Sequence, residues 1–255
     1  MYVISSAITD KGIKRTHNED IFLVNDEIRL YIVCDGMGGH AGGEVASQIA
    51  VHTIEEIIRN NHSELQSHLL KQEEREEVIR EHLRHAIRLA GRKIFSIAVQ
   101  EHRYRGMGTT CVACLVDEKN LYVAHVGDSR CYLIRDHTIE QMTEDHSLVN
   151  EQIQAGIITK EEAVNHKSKN VITRSLGYNK EVEVDVQVFP LMINDVVLLC
   201  SDGLCNLVTS DEMLQKVTDP HSSLQHICRQ LVNRACEMGG DDNITVVLFS
   251  VHHEE

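Results

Sequence analysis

At four separate places in this chain an apolar, β-forming run stops on an aspartate or starts from one. Asp35 closes YIVCDG, Asp202 closes VVLLCSDG, Asp128 follows VAHVG, and Asp242 stands in GGDDN just before ITVVLFSV. A carboxylate beside an apolar strand is costly to bury unless it is paired or binds a cation. Strand ends on one edge of a sheet meet in space however far apart they lie in sequence, and the small residues beside them leave room for a ligand at the backbone. Carboxylates that converge repel one another, and an oxygen-ligated Mg²⁺ or Mn²⁺ between them relieves the repulsion. A single Asp-Gly is an ordinary turn and helix-cap pair; four strand ends of this kind predict a metal centre. No Cys/His cage accompanies them, which argues against zinc.

The rest of the chain supplies the scaffold. MYVISSAIT, FLVN and LYIVCDG read as strands. A helix begins near Glu44, with Val45, Ile49, Thr53, Ile57 and Ile58 at helical intervals. A clearer one carries Ile79, Leu83, Ala86, Ile87, Ala90, Ile94, Ile97 and Ala98 on a single stripe, with Glu, Arg and His opposite. CVACLV, LYVAHVG, SRCYLIR and TIEQMT predict a β-meander. Residues 145–175 lose this regularity and read as a small helical excursion over the sheet. VEVDVQVF alternates as a half-buried strand, and DVVLLCSDG reads as a central strand. A helix pair follows, and ITVVLFSV closes the chain as its last strand. Strands in adjacent runs, without strict β-α-β alternation, predict an α+β fold of antiparallel sheets with helices on their outer faces.

Length and composition narrow the class. The 255 residues, 42% apolar, with two prolines and no Gly/Ser- or Pro-rich linker, predict one domain over 1–255. A formal charge of −14 repels nucleic-acid phosphate and anionic lipid, so neither is an expected partner. Part of that excess can be neutralised in place by bound cations. The eight cysteines sit largely inside apolar runs, as buried free thiols do. Without a secretory signal or a run near the roughly 20 apolar residues of a membrane span, the reading is a reducing cytoplasm.

The aspartates also carry a resemblance. RTHNED (15–20), DGMGGHAGGEVAS (35–47), GMGTT (106–110), VGDSR (126–130), DHSLV (145–149), ITRSLG (172–177), SDGL (201–204) and GGDDNIT (239–245) occur in order. Together they resemble the metal-dependent, type-2C protein phosphatases in their bacterial single-domain form. The resemblance implies a four-layer α-β-β-α sandwich: two mainly antiparallel sheets flanked by antiparallel helix pairs. It implies two Mn²⁺ or Mg²⁺ ions, with a possible third. Asp35 would bridge the pair, with the Gly36 carbonyl on one ion, Asp202 and Asp242 completing the second, and Glu19 and Asp20 at the first, partly through water. Asp128, with Asp202, matches the ligands of the third. Arg15 matches the arginine that grips the substrate phosphate, a planar bidentate role that lysine does not fill. Water would attack phosphorus directly, with no phosphoenzyme; two such ions suit that chemistry independently.

His40 is a candidate general acid for the leaving oxygen. Its competing reading is a histidine at a loop or helix start. Cys111 and Cys114, at an odd spacing on a strand, point to opposite faces and read as packing. GMGGHAGG lacks both the GxxxxGK[ST] lysine and the GxGxxG spacing of nucleotide loops. KQEEREEVIREHLRH reads as a solvated helix face with i, i+4 pairs. Residues near 147–170 correspond in position to the family's flap, which Asp145 and His146 could orient.

The expected activity is hydrolysis of phosphoserine and phosphothreonine on proteins that a cytoplasmic serine/threonine kinase modifies, by a monomer. The alternatives are a phosphatase-like binding module without activity and a hydrolase of small phosphoesters.

Overall fold

LYIVC, CVACLV and NLYVAHV are buried at every position, so both faces of the sheet that carries them must be covered. In the computed structural model, which describes residues 1–38, 42–65, 71–164 and 166–253, helices cover one face and a second sheet the other. The chain begins with strands β1 (Tyr2–Asp10), β2 (Ile21–Asn25), β3 (Leu30–Cys34) and the short β4 (Gly36–Met37). Helices α1 (Gly42–Asn60), α2 (His62–Leu65) and α3 (Gln72–Gln100) follow. Next come β5 (Gly108–Thr109), β6 (Cys111–Val116), β7 (Asn120–Val126), β8 (Arg130–Arg135) and β9 (Thr138–Gln141). The excursion holds α4 (Leu148–Gln154) and α5 (Lys160–Val164) and leads into β10 (Asp185–Pro190) and β11 (Val196–Cys200). The chain finishes through α6 (Asp202–Cys205), α7 (Ser210–Val217), α8 (Leu224–Glu237) and β12 (Ile244–His252).

The strands form two five-stranded sheets, ordered β1-β12-β11-β8-β9 and β10-β7-β6-β3-β2. Every pairing within them is antiparallel. Period-two alternation sorts their side chains into separate cores. Leu30, Ile32 and Cys34 face α1 and α3, where Ile54, Leu83 and Ile87 meet them. Tyr31 and Val33 face the other sheet and pack with Val197, Leu199 and Phe249; the Tyr31 and Phe249 rings stack at 4.1 Å. Leu198, Val246 and Leu248 face α7 and α8 and meet Met213, Ile227 and Leu231. Each such side chain contributes about 1.5–3 kcal/mol by leaving water, and none can change face without a register slip that exposes its whole strand. The layers are helix, sheet, sheet, helix, as expected.

Cys111 and Cys114 belong to different cores, one on each face of β6, in keeping with a packing role. The expected meander is not a single one. β6 and β7 pair with each other, but β8 pairs with β9 and β11 in the opposite sheet. The switch falls at Gly127, whose φ of +106° turns the chain away from β7, and local alternation carries no information on which sheet a strand joins. The half-buried strand expected from Val182 starts at Asp185. No helix is long and apolar enough to cross a membrane among the described residues.

Candidate metal centre

All four strand-end aspartates lie at one end of the sandwich, although not on one sheet edge. Asp35 follows β3 and Asp128 follows β7 of one sheet, while Asp202 follows β11 and Asp242 precedes β12 of the other. Asp20, just before β2, joins them from the first sheet. The expectation of a shared sheet edge is thereby corrected: the carboxylates meet across the seam, where the ends of two packed sheets come together.

Their electrostatics are those of a site built for cations. Desolvation, then the charges of Asp20, Asp202, Asp128 and Asp242, hold the Asp35 carboxyl well above the usual carboxylate range. Asp202 is raised by desolvation and by the charge of Asp242. Asp128, desolvated and facing Asp202 and Asp145, is pushed up to about 7. Burial also pushes Asp20 to about 7, against the lowering effect of hydroxyl donors on Thr245 and Ser201. Glu19 is raised by desolvation in spite of Arg15 nearby. Among the described residues, three buried oxygens of this group have no hydrogen-bond partner: Asp20 Oδ1, Asp128 Oδ1 and Asp202 Oδ1. Buried acceptors are rarely left so. An all-oxygen donor set with orphaned carboxylate oxygens fits a hard divalent cation.

Several residues that sequence reasoning passed over hold these carboxylates in place. Ser201 Oγ and Thr245 Oγ1 each donate to Asp20 Oδ2 at 2.7 Å. Asn243 accepts the Glu19 N–H at 2.8 Å through Oδ1, while its Nδ2 donates to the Lys11 and His17 carbonyls at 3.0 and 2.9 Å. One side chain thus shapes the loop that presents Arg15. Thr110 Oγ1 accepts the Asp35 N–H at 3.0 Å. The available signal was the polar residues inside the GMGTT, SDGL and GGDDNIT motifs, each next to a strand with an apolar interior.

The Gly36 N–H donates to the Glu19 carbonyl at 3.2 Å. A Cβ on Gly36 would strike the Gly43 carbonyl oxygen and come within 2.6 Å of the Glu19 carbonyl oxygen. Both are backbone atoms that cannot rotate aside. Gly36→Ala should therefore lose roughly 1–3 kcal/mol in a urea melt. Gly91→Ala, mid-helix in α3 and no nearer than 3.5 Å to any neighbour, should gain about 0.5–1 kcal/mol. Equal stability for the two variants would contradict this packing.

Arg15 is exposed and reaches back to Asp242, Nη2 to Oδ2 at 2.7 Å. Asp242 Oδ1 accepts the Asn243 N–H at 2.8 Å. His40 lies outside the described residues, so its place in the site is not described. A polar cleft of about 660 Å³ opens from Asp128 and Asp202 toward α4 and α5, with Lys160 and Lys169 along it.

Residues 7–244 match the profile of protein phosphatase 2C. The chain belongs to the protein phosphatase 2C family. It is similar to the serine/threonine phosphatase stp of Listeria monocytogenes, at 41% identity over 94% of this chain and 92% of that one. Protein phosphatase PhpP of Streptococcus pneumoniae is 39% identical over 98% of each chain. Among solved structures, the serine/threonine phosphatase PstP/Ppp of Mycobacterium tuberculosis superposes with a TM-score of 0.87 at 33% identity, covering 99% of this chain and all of that one. A PstP catalytic domain in complex with 2 manganese ions gives 0.84 at 32% identity, covering 98% of this chain and 99% of that one. As a protein phosphatase 2C member this enzyme is a metal-dependent serine/threonine phosphatase that uses Mn²⁺ or Mg²⁺. The oxygen-rich, partner-poor carboxylate group at the sheet seam suits those ions.

Proposed function

We propose that this enzyme removes phosphate from phosphoserine and phosphothreonine of cytoplasmic proteins, opposing a serine/threonine kinase, and does so as a monomer. We place its chemistry at Asp35, the Gly36 carbonyl, Asp202, Asp242, Glu19 and Asp20 as holders of two divalent cations, with Asp128 and Asp202 at a third. The carrying observation is the convergence of five aspartates from both sheets, three of them with an orphaned buried oxygen. When bound, the ions supply charge neutralisation for the phosphoryl group and a water acidified for in-line attack. The chain supplies the rest. Arg15, already at the rim beside Asp242, exchanges that carboxylate for two phosphate oxygens and orients them. Ser201 and Thr245 hold the Asp20 carboxylate and Thr110 the Asp35 backbone, so that little reorganisation accompanies binding. His40 is proposed to protonate the leaving seryl or threonyl oxygen.

In this reading the whole chain is one catalytic domain, with residues 147–170 as a flap over the cleft. The cleft is lined by polar side chains, among them Gln141, Thr143, Glu144 and Asn150, which can meet a peptide backbone. Lys160 and Lys169, neither with an ion-pair partner among the described residues, offer positive charge beside the phosphorylated residue.

The deciding assay measures phosphate release from a phosphothreonine peptide with Mn²⁺, Mg²⁺ or EDTA. Release is expected with either ion and none after full chelation. Activity that survives chelation would sink the metal mechanism. No activity with any divalent ion would favour a binding module, and activity confined to small phosphoesters would remove the protein substrate. In the same assay His40→Ala should slow the peptide more than an aryl phosphate, whose leaving group needs no proton. Equal slowing removes His40 as the acid.

A further inference from the structure

Gly127, next to Asp128, is gripped by a single histidine from the base of the 147–170 segment. The His146 N–H donates to the Gly127 carbonyl at 3.0 Å. In return the Gly127 N–H donates to His146 Nδ1 at 3.1 Å. A ring nitrogen that accepts carries no proton, so the proton of the neutral ring is on Nε2. Nε2 lies 3.0 Å from Asp185 Oδ2 on β10. Arg174, beyond the other end of the segment, reaches the same carboxylate, Nη1 to Oδ1 at 3.3 Å. The two ends also meet directly. The Thr173 N–H donates to the His146 carbonyl at 2.9 Å, and Ser147 bridges Ile172. Asp145 is held separately by Arg130, Nη2 to Oδ2 at 2.7 Å.

Contacts continue inward from Gly127. Its Cα is so close to Thr110 that a Cβ would lie 2.6 Å from Thr110 Cγ2. Thr110 Oγ1 is 2.7 Å from Ser129 Oγ and accepts the Asp35 N–H. Asp128 therefore stands on a turn gripped from outside by His146 and from inside by Thr110.

His125, His146 and Asp185 lie at a spacing that could hold an ion, but the hydrogen bonds fix them otherwise. His125 Nε2 is engaged by the Glu144 carbonyl at 2.8 Å. Ligation through His146 Nε2 would put a proton on Nδ1, facing the Gly127 N–H donor to donor. Arg174 Nη1, 3.3 Å from that same Nε2, already places a cation there.

We propose that His146 is a positioning residue that holds two parts at once, the 147–170 segment through Nε2 and Asp185 and the Asp128 turn of the metal centre through Nδ1 and Gly127. This rests on the reading of Asp128 as a ligand of the third, weaker cation. The test uses purified full-length protein, with calorimetric Mn²⁺ titration and limited proteolysis within 147–170. His146→Ala should weaken the lowest-affinity Mn²⁺ step about 10-fold and speed cleavage. In His146→Asn an amide oxygen can replace Nδ1 as acceptor without reaching Asp185; it should recover Mn²⁺ affinity but stay protease-sensitive. Asp185→Ala should be protease-sensitive with wild-type Mn²⁺ affinity. If Asp128→Ala loses the weak step while His146→Ala keeps it, the coupling is overturned and the ligand reading stands. If Asp128→Ala leaves every step unchanged, the ligand reading fails and the coupling with it. Should His146→Ala not fold, Asp185→Ala and His146→Asn still decide: wild-type protease resistance in both overturns the clasp.

Discussion

Asp202→Asn is expected to lose turnover on a phosphothreonine peptide by at least about a hundredfold, and to remain folded. Asp202 has one orphaned buried oxygen, and its other accepts from Asn206 Nδ2 at 3.1 Å. Asparagine keeps the shape and one acceptor but removes a charge that two proposed cation sites share. In the metal-free protein that charge is a liability, since Asp202 is raised by burial and by Asp242. The variant should therefore melt at or above the wild-type temperature in EDTA. In Mn²⁺ the order should reverse, because an ion bound only by the folded chain raises the melting temperature with its occupancy. Differential scanning calorimetry in the two buffers gives both comparisons. Normal turnover, or an undiminished Mn²⁺ shift, would remove Asp202 from the ligand set.

The second large effect concerns pH. Asp20 and Asp128 are pushed from 3.8 to about 7, and Asp35 and Asp202 are also raised. Each carboxyl binds its proton more tightly in the folded chain than in the unfolded one. Between about pH 4 and pH 7 the folded chain then holds more protons, and this cluster's contribution to stability falls as the pH rises. For Asp20 or Asp128 alone the change is on the order of 4 kcal/mol; the groups titrate together, so the total is less than their sum. Bound cations reverse the preference by favouring the ionised carboxylates. The stability difference between Mn²⁺-loaded and EDTA-treated protein should therefore widen from pH 5 to pH 7. Urea midpoints at each pH measure it. A gap that stays constant or narrows would mean that these carboxylates do not take up the ions.

Much of this was legible in the chain itself, for reasons that differ by element. The stripe from Ile79 to Ala98 predicts α3 because apolar residues at that interval fall on one face only if the chain is helical. The face assignment of Cys111 and Cys114 follows from strand geometry alone. The two-residue β4–β5 ladder has no periodicity to read, being shorter than one repeat. Ser201, Thr245 and Asn243 gave no separate signal either, because a hydroxyl or amide beside a strand looks the same whether it faces solvent or a buried carboxylate.

By itself the sequence determined that Asp35, Asp128, Asp202 and Asp242 stand at strand ends, since the apolar run stops or starts there and an unpaired charge cannot be drawn into it. Only the tertiary structure decided that they come from two sheets and meet at a seam. Which sheet a strand joins depends on partners distant in sequence and on the turn at Gly127. The contacts of His146 have the same cause: Gly127, Asp185 and Arg174 are 19, 39 and 28 residues away in sequence and meet it only in the folded chain.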